Sequence, residues 1–200
     1  MSDKKSQSDQ DVIAFSGKIG EIVHTEQADG RVFERYRRPP GTRLIIVSPD
    51  KKILVTKEHR REATGIDLRL PGGKVCDSLD DYHKLLGSGQ DIVEAAKKAA
   101  AKEALEETGL VIENPQLIAK ANAGATVEWD LYYFQVDEYT ANPGGQELED
   151  GEDIEVTWIT AANCAKQFRM AKCRNGAVSA YFWLKFYPGF SPTGRFCSVR

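Results

Sequence analysis

The chain has 200 residues, 41% of them hydrophobic and 28% charged, which is enough to bury one substantial core and too little to call for two domains. Its formal net charge of −3 gives no general attraction to nucleic acid or to an anionic membrane, so any recognition of phosphate has to be local. No apolar run approaches the length of a membrane span, and the opening MSDKKSQSDQD lacks the hydrophobic segment of a secretory signal, so a cytoplasmic protein is expected.

Residues 1–11 are expected to form a disordered tail. Residues 12–38 then read as a β-hairpin arm, with strands over 18–25 and 31–36 around Ala28-Asp29-Gly30, where Asp-Gly is a strong turn signal. An isolated hairpin is marginal in water, so this one needs a further surface to pack on. The basic turn Arg37-Arg38-Pro39-Pro40-Gly41 leads into an apolar run over 42–47 that predicts a buried central strand. A second strand is predicted over 53–57, running into Glu58-His59-Arg60-Arg61. After Leu70-Pro71-Gly72-Gly73-Lys74-Val75, residues 76–90 are polar with Gly87 and Gly89 near their end, and read as a surface loop. Cys76, Cys164, Cys173 and Cys197 show neither the spacing of a zinc site nor the density of a disulfide scaffold, and are expected to be free thiols.

The next stretch, residues 91–110 (DIVEAAKKAAAKEALEETGL), predicts a helix of about five turns, rich in Ala, with Asp91 as N-cap and Gly109 as C-terminal stop. At about 100° per residue, Glu103 and Glu107 fall on the side that carries Ala96, Ala99, Ala100 and Ala104, with Glu106 at its margin. Lys98, Lys102 and Leu105 take the opposite side. A solvated face would mix Glu with Lys. Acids projecting from a side whose small residues permit close packing instead need a cation, and three carboxylates at i, i+3 and i+4 offer the hard oxygens that Mg²⁺ or Mn²⁺ prefers.

Beyond the helix, strands are predicted over 116–121, 127–136 and 154–159, and helices over 161–172 and 176–186. Residues 140–153 (TANPGGQELEDGED) form a long acidic, Gly-rich loop, of a kind that is usually functional in a compact domain.

The helix resembles the Nudix box, whose helical part runs Glu, seven residues, then Arg-Glu-apolar-X-Glu-Glu-X-Gly-apolar. Here Glu94 is followed, after seven residues, by Lys102-Glu103-Ala104-Leu105-Glu106-Glu107-Thr108-Gly109-Leu110, and Pro71-Gly72-Gly73 is similar to the turn that opens the same box. Two departures are visible. Gly73 and Glu94 are 21 positions apart, which implies about fifteen inserted residues, and Lys102 replaces the Arg of the pattern, losing its planar fork.

The resemblance implies an α/β/α sandwich with a mixed curved sheet, an N-terminal hairpin arm at 12–38 that makes a homodimer, and a hydrolase domain over 39–200. It implies Mg²⁺ as cofactor, with Mn²⁺ as the alternative, held by Glu103, Glu106, Glu107 and the Gly72 carbonyl. Within the family, the chain is most similar to the ADP-ribose and nucleoside diphosphate sugar pyrophosphatases. In that subgroup Arg38 and Arg61 would reach the diphosphate, Phe33 or Tyr36 of the arm would contact the base, and one of Glu149, Asp150 and Glu152, preferably Glu152, would be the general base. The expected partner is thus a small nucleotide sugar, with no nucleic acid and no membrane. Two other readings stay open, a hydrolase of nucleoside triphosphates or of RNA 5′ ends, and a non-catalytic ADP-ribose-binding regulator.

Overall fold

The computed structural model describes residues 11–59, 66–160 and 163. The expected helices at 161–172 and 176–186, the tail at 1–10 and Arg61 lie outside the described residues, apart from Asn163. The chain opens with strands β1 (Asp11–Ser16), β2 (Glu21–Glu26), β3 (Val32–Arg37), β4 (Gly41–Ile46), β5 (Lys52–His59) and β6 (Ile66–Arg69). Helices α1 (Leu79–Ser88) and α2 (Ile92–Thr108) follow. The remaining strands are β7 (Leu110–Glu113), β8 (Gln116–Asn122), β9 (Val127–Glu128), β10 (Asp130–Val136), β11 (Glu138–Ala141) and β12 (Ile154–Thr160).

Strand β4 contains no exposed residue, as its apolar run requires. It pairs in parallel with β10, which pairs antiparallel with β8, while β12, β5 and β6 form an antiparallel sheet beside them. Leu44 and Ile46 face the fully buried Ala96, Ala100 and Ala104 of α2 together with Tyr132, Phe134 and Val136. Ile45 and Val47 face the other way, against Ile53, Val55, Leu70, Leu131 and Tyr133. The alanines decide how close α2 comes, because side chains no longer than a methyl let the helix settle onto the sheet. The result is the α/β sandwich expected of this element order.

The N-terminal arm is larger than a hairpin. Strand β1 begins at Asp11, inside the stretch expected to be tail, and the sheet has the order β1-β2-β3-β9. Its last strand comes from the body of the domain, with Tyr36 opposite Val127 and Arg37 opposite Glu128. A chain of ion pairs ties this sheet together. Arg35 bonds Asp11 at 2.6 Å and Glu128 at 2.8 Å, and Arg37 bonds the fully buried Glu21 at 2.6 Å. Burial pushes the Glu21 carboxyl up, but hydrogen bonds from His83 and Arg37 outweigh it and hold the group below its ordinary value.

Residues 76–90 are not a loop. Ser78 caps α1 by accepting from the Asp81 N–H at 3.1 Å, Asp80 and Asp81 complement the helix N-terminus, and Gly89 ends the helix in the left-handed conformation. Leu79 and Tyr82 bury themselves against Cys76, and the imidazole of His83 meets Glu21 at 3.0 Å. Helix α1 therefore wedges the box to the N-terminal sheet. We expect Leu79→Ala to lower the unfolding free energy by about 2–3 kcal/mol, the low end for a buried leucine because the cluster is small; urea denaturation measures it.

Candidate active site

The site is assembled where the C-terminal half of α2 meets the turn at Pro71–Gly73. Asp91 starts the helix by accepting from the Val93 N–H at 2.8 Å, and Gly109, at φ 67°, ends it. Between these caps the helical repeat turns Glu103 and Glu107 toward the turn. The turn itself is laid along β4, since the Thr42 N–H donates to the Gly73 carbonyl and the Leu44 N–H to that of Pro71, both at 2.8 Å. Gly72 has φ 129°, and a Cβ there would fall 2.5 Å from the Thr42 carbonyl oxygen, so only glycine fits. At Gly73 a Cβ would lie 2.0 Å from an oxygen of Glu103, so a larger residue would displace that carboxylate.

Glu107 is 8% exposed and accepts the Gly72 N–H at 2.7 Å. Burial raises its pKa and the Glu152 charge adds to the rise, while the Gly72 hydrogen bond and the charges of Arg69 and Arg43 oppose it. Glu103 is pushed up to about 7 by burial and by the charges of Glu107 and Glu106. Glu106 pairs with Lys102 at 3.1 Å, an i, i+4 contact. Three carboxylates thus crowd one patch. Among the described residues, no three His, Cys, Asp or Glu side chains already converge as a chelating group, since Glu106 turns to Lys102 and Glu107 to Gly72. The donor set is nonetheless of hard oxygens, and the repulsion expressed in Glu103 is what a bound divalent cation would remove.

The acidic loop at 142–153 is fastened to the end of the same helix. The Glu147 N–H donates to the Glu106 carbonyl at 3.1 Å, the Asn142 N–H to that of Gly109 at 2.8 Å, and Gln146 Nε2 to those of Glu107 and Ile154 at 2.5 and 3.1 Å. The Glu106, Glu107 and Gly109 carbonyls are among those that a helix C-terminus leaves without partners. Within the loop, Glu149 and Glu152 brace each other, the Glu149 N–H reaching a Glu152 carboxylate oxygen at 3.1 Å. Of the three candidate bases, Glu152 is the one whose charge is felt by Glu107. All three, Glu149, Asp150 and Glu152, are exposed.

The other expected residues are more scattered. Arg38 lays its guanidinium over the Trp129 ring, 4.7 Å from the centroid, and its Nε is buried without a hydrogen-bond partner among the described residues. Tyr36 packs its phenol over Gly20, while Phe33 is 36% exposed on the N-terminal sheet. The Gly72 carbonyl accepts a hydrogen bond from Arg43. Arg43, Arg69 and Gln146 did not stand out in the sequence. Arg69, on β6, is paired with Glu58 at the end of β5.

Fold and site together define a class, a mixed α/β domain whose long helix presents carboxylates to a glycine turn. The sequence matches the NUDIX domain over residues 37–179, and the chain belongs to that family of hydrolases. Among solved structures it is similar to one from a structural and functional comparison of MutT from the fish pathogen Aliivibrio salmonicida and from Vibrio cholerae. The identity is 22%, the TM-score 0.50, and the match covers 75% of this chain and 99% of that one. No curated protein matches the sequence. No helix among the described residues is long and apolar enough to cross a membrane.

The raised carboxyl of Glu103 links stability to pH. A folded-state value of about 7 against 4.5 for the unconstrained group means that the folded chain holds this proton more tightly, so stability falls as pH rises across that window. Glu107 acts in the same direction, whereas Asp11 and Glu21, whose values are lowered, act only at more acid pH. In chelator, the thermal midpoint should therefore decline between about pH 5 and 7.5, and Mg²⁺ should flatten that decline. An identical slope with and without Mg²⁺ would show that these acids do not meet the ion.

Proposed function

We propose that this chain is a Mg²⁺-dependent pyrophosphohydrolase of nucleoside diphosphates linked to a second group, ADP-ribose or a related nucleotide sugar being the preferred class. One observation carries the reading: Glu103 and Glu107 are pressed by one helix onto the Gly72–Gly73 turn, with Glu152 on a loop tied to the same helix. Glu103 and Glu107 would hold the ion, with Glu106 joining them on release from Lys102 and the second lone pair of the Gly72 carbonyl adding an oxygen. When bound, Mg²⁺ neutralises the diphosphate and lowers the pKa of a coordinated water. The residues themselves divide the remaining work. Glu152 is the preferred base for the attacking water, with Glu149 and Asp150 as the alternatives, and the loop's bonds to the helix carbonyls keep that base in register with the acids. Arg38, whose Nε–H has no partner among the described residues, is the phosphate contact this reading favours, and Arg61 is assigned the same role.

The N-terminal sheet supports the dimer that this class implies. Val12, Ile13, Phe15, Ile19, Val32 and Phe33 are all large, apolar and exposed on or beside it. The strand register puts Val12, Phe15 and Val32 on one face of the sheet and Ile13 and Phe33 on the other; an isologous contact with a second copy would cover the first face and leave Phe33, on the opposite one, to a substrate base.

Glu107→Gln should fold, since the amide oxygen still accepts the Gly72 N–H, and should lose more than about 100-fold in turnover, because even outer-shell partners of a metal ligand cost 10–100-fold. Release of nucleoside monophosphate from a panel of nucleotide sugars and nucleoside triphosphates, with Mg²⁺ or chelator, measures this and ranks the substrates. A wild-type chain that binds ADP-ribose but hydrolyses nothing on the panel would sink the reading.

Phe15→Glu together with Val32→Glu should convert the dimer to monomer without touching the ion pairs of the sheet. Sedimentation velocity at micromolar concentration decides this, and a wild-type chain that sediments as a monomer would overturn the dimer.

A further inference from the structure

Arginine in the middle of a buried strand is unusual, because the side chain is seldom taken from water unless it is paired. Arg43 occupies that position in β4, a strand otherwise composed of Gly41, Thr42, Leu44, Ile45 and Ile46. Arginines 31, 35, 37 and 69 each bond a carboxylate. Arg43 is different. Its Nη1 donates to two backbone carbonyls, that of Thr42 at 2.8 Å and that of Gly72. No carboxylate bond to it is found among the described residues.

These two carbonyls belong to β4 and to the box turn, so one nitrogen clips the turn to the strand. Gly72 is then held at both its polar atoms, its carbonyl by Arg43 and its N–H by Glu107. This is also the residue whose backbone conformation and lack of space admit glycine alone. The Gly72 N–H and carbonyl lie in successive peptide planes that meet at its Cα, and Glu107 holds the first while Arg43 holds the second. Both acids meet the same two-residue turn that the guanidinium bonds, Glu107 at the Gly72 N–H and Glu103 against Gly73, and its charge acts on both.

We propose that Arg43 is a positioning residue of the active site, which aims the Gly72 unit at Glu107 and serves as a resident counter-charge to Glu103 and Glu107 when no divalent cation is bound. The proposal rests on the hydrolase reading given above. Lysine would keep the charge but lacks the rigid planar fork, so the two functions separate by substitution.

The test compares wild type with Arg43→Met and Arg43→Lys in steady-state kinetics and in the rise of the thermal midpoint on adding Mg²⁺ to chelated protein. Arg43→Met should lower kcat about 10-fold or more with KM within about twofold, and should show a larger Mg²⁺-induced rise than wild type, because the ion then supplies charge the side chain no longer does. Arg43→Lys should restore the wild-type rise while kcat stays low. If Arg43→Met does not fold, Arg43→Gln carries the same comparison, and a folded Arg43→Gln with wild-type kcat overturns the proposal. A raised KM with unchanged kcat would show that Arg43 binds substrate instead, and unchanged kinetics with an unchanged rise would reduce it to a strand residue. Failure of the hydrolase reading is distinct, since wild type itself would then turn over no substrate.

Discussion

The hydrogen bond from the Gly72 N–H to Glu107 is the contact on which the arrangement depends. A carboxylate as buried as this one is costly to ionise, and a single charge-assisted bond from a backbone amide recovers only part of that cost. The rest has to come from position. The small face of α2 brings the helix down to the sheet, the turn is laid along β4, and the two glycines leave room for the acids. Change any of these and the carboxylate loses either its donor or its space. Structural tightness and electrostatic tension are thus the same fact here, since the crowding that aligns Glu103 and Glu107 also makes them reluctant to carry charge together.

The N-terminal sheet solves a different problem with similar means. Glu21 is fully buried, and it stays charged because Arg37 and His83 approach it from β3 and from α1. Removing one partner from such a group is far more damaging than the net worth of the pair would suggest, because the remaining charge is stranded. The network therefore acts as a fastening between a sheet that precedes the box and a helix inserted within it. One oxygen of Glu21 has no hydrogen-bond partner, which marks the network as incompletely satisfied among the described residues.

Much of this could be read from the sequence, and the exceptions share a cause. Helix α2 was legible because its caps and its repeat are both local. The strands β4, β5, β8, β10 and β12 were legible in outline because their apolar runs are long enough to carry a pattern. Helix α1 was missed because its glycines and charges suggest a loop, although Ser78 with Asp81, followed by Leu79, Tyr82 and Leu85, spells a capped amphipathic turn. Strands β6, β7 and β11 have four residues each and owe their form to partners far along the chain. Gln146 and Arg43 were invisible for a plainer reason. Both act on backbone carbonyls, and a sequence displays side chains, not the peptide groups they will find.

The inserted helix has a consequence for how the chain could be cut. Gly73 and Glu103 meet in the site but are 30 positions apart along the chain, and no covalent tether of that length dictates their relative placement. What holds the turn against the helix is the set of contacts to β4 and to Glu107, with α1 anchored separately to the sheet by His83. Backbone continuity just after α1, at the exposed Gly89-Gln90 junction, is therefore dispensable to the geometry. New chain ends opened there would leave the halves of the box facing each other, so this junction is a natural place for circular permutation or for splitting the protein into complementing fragments.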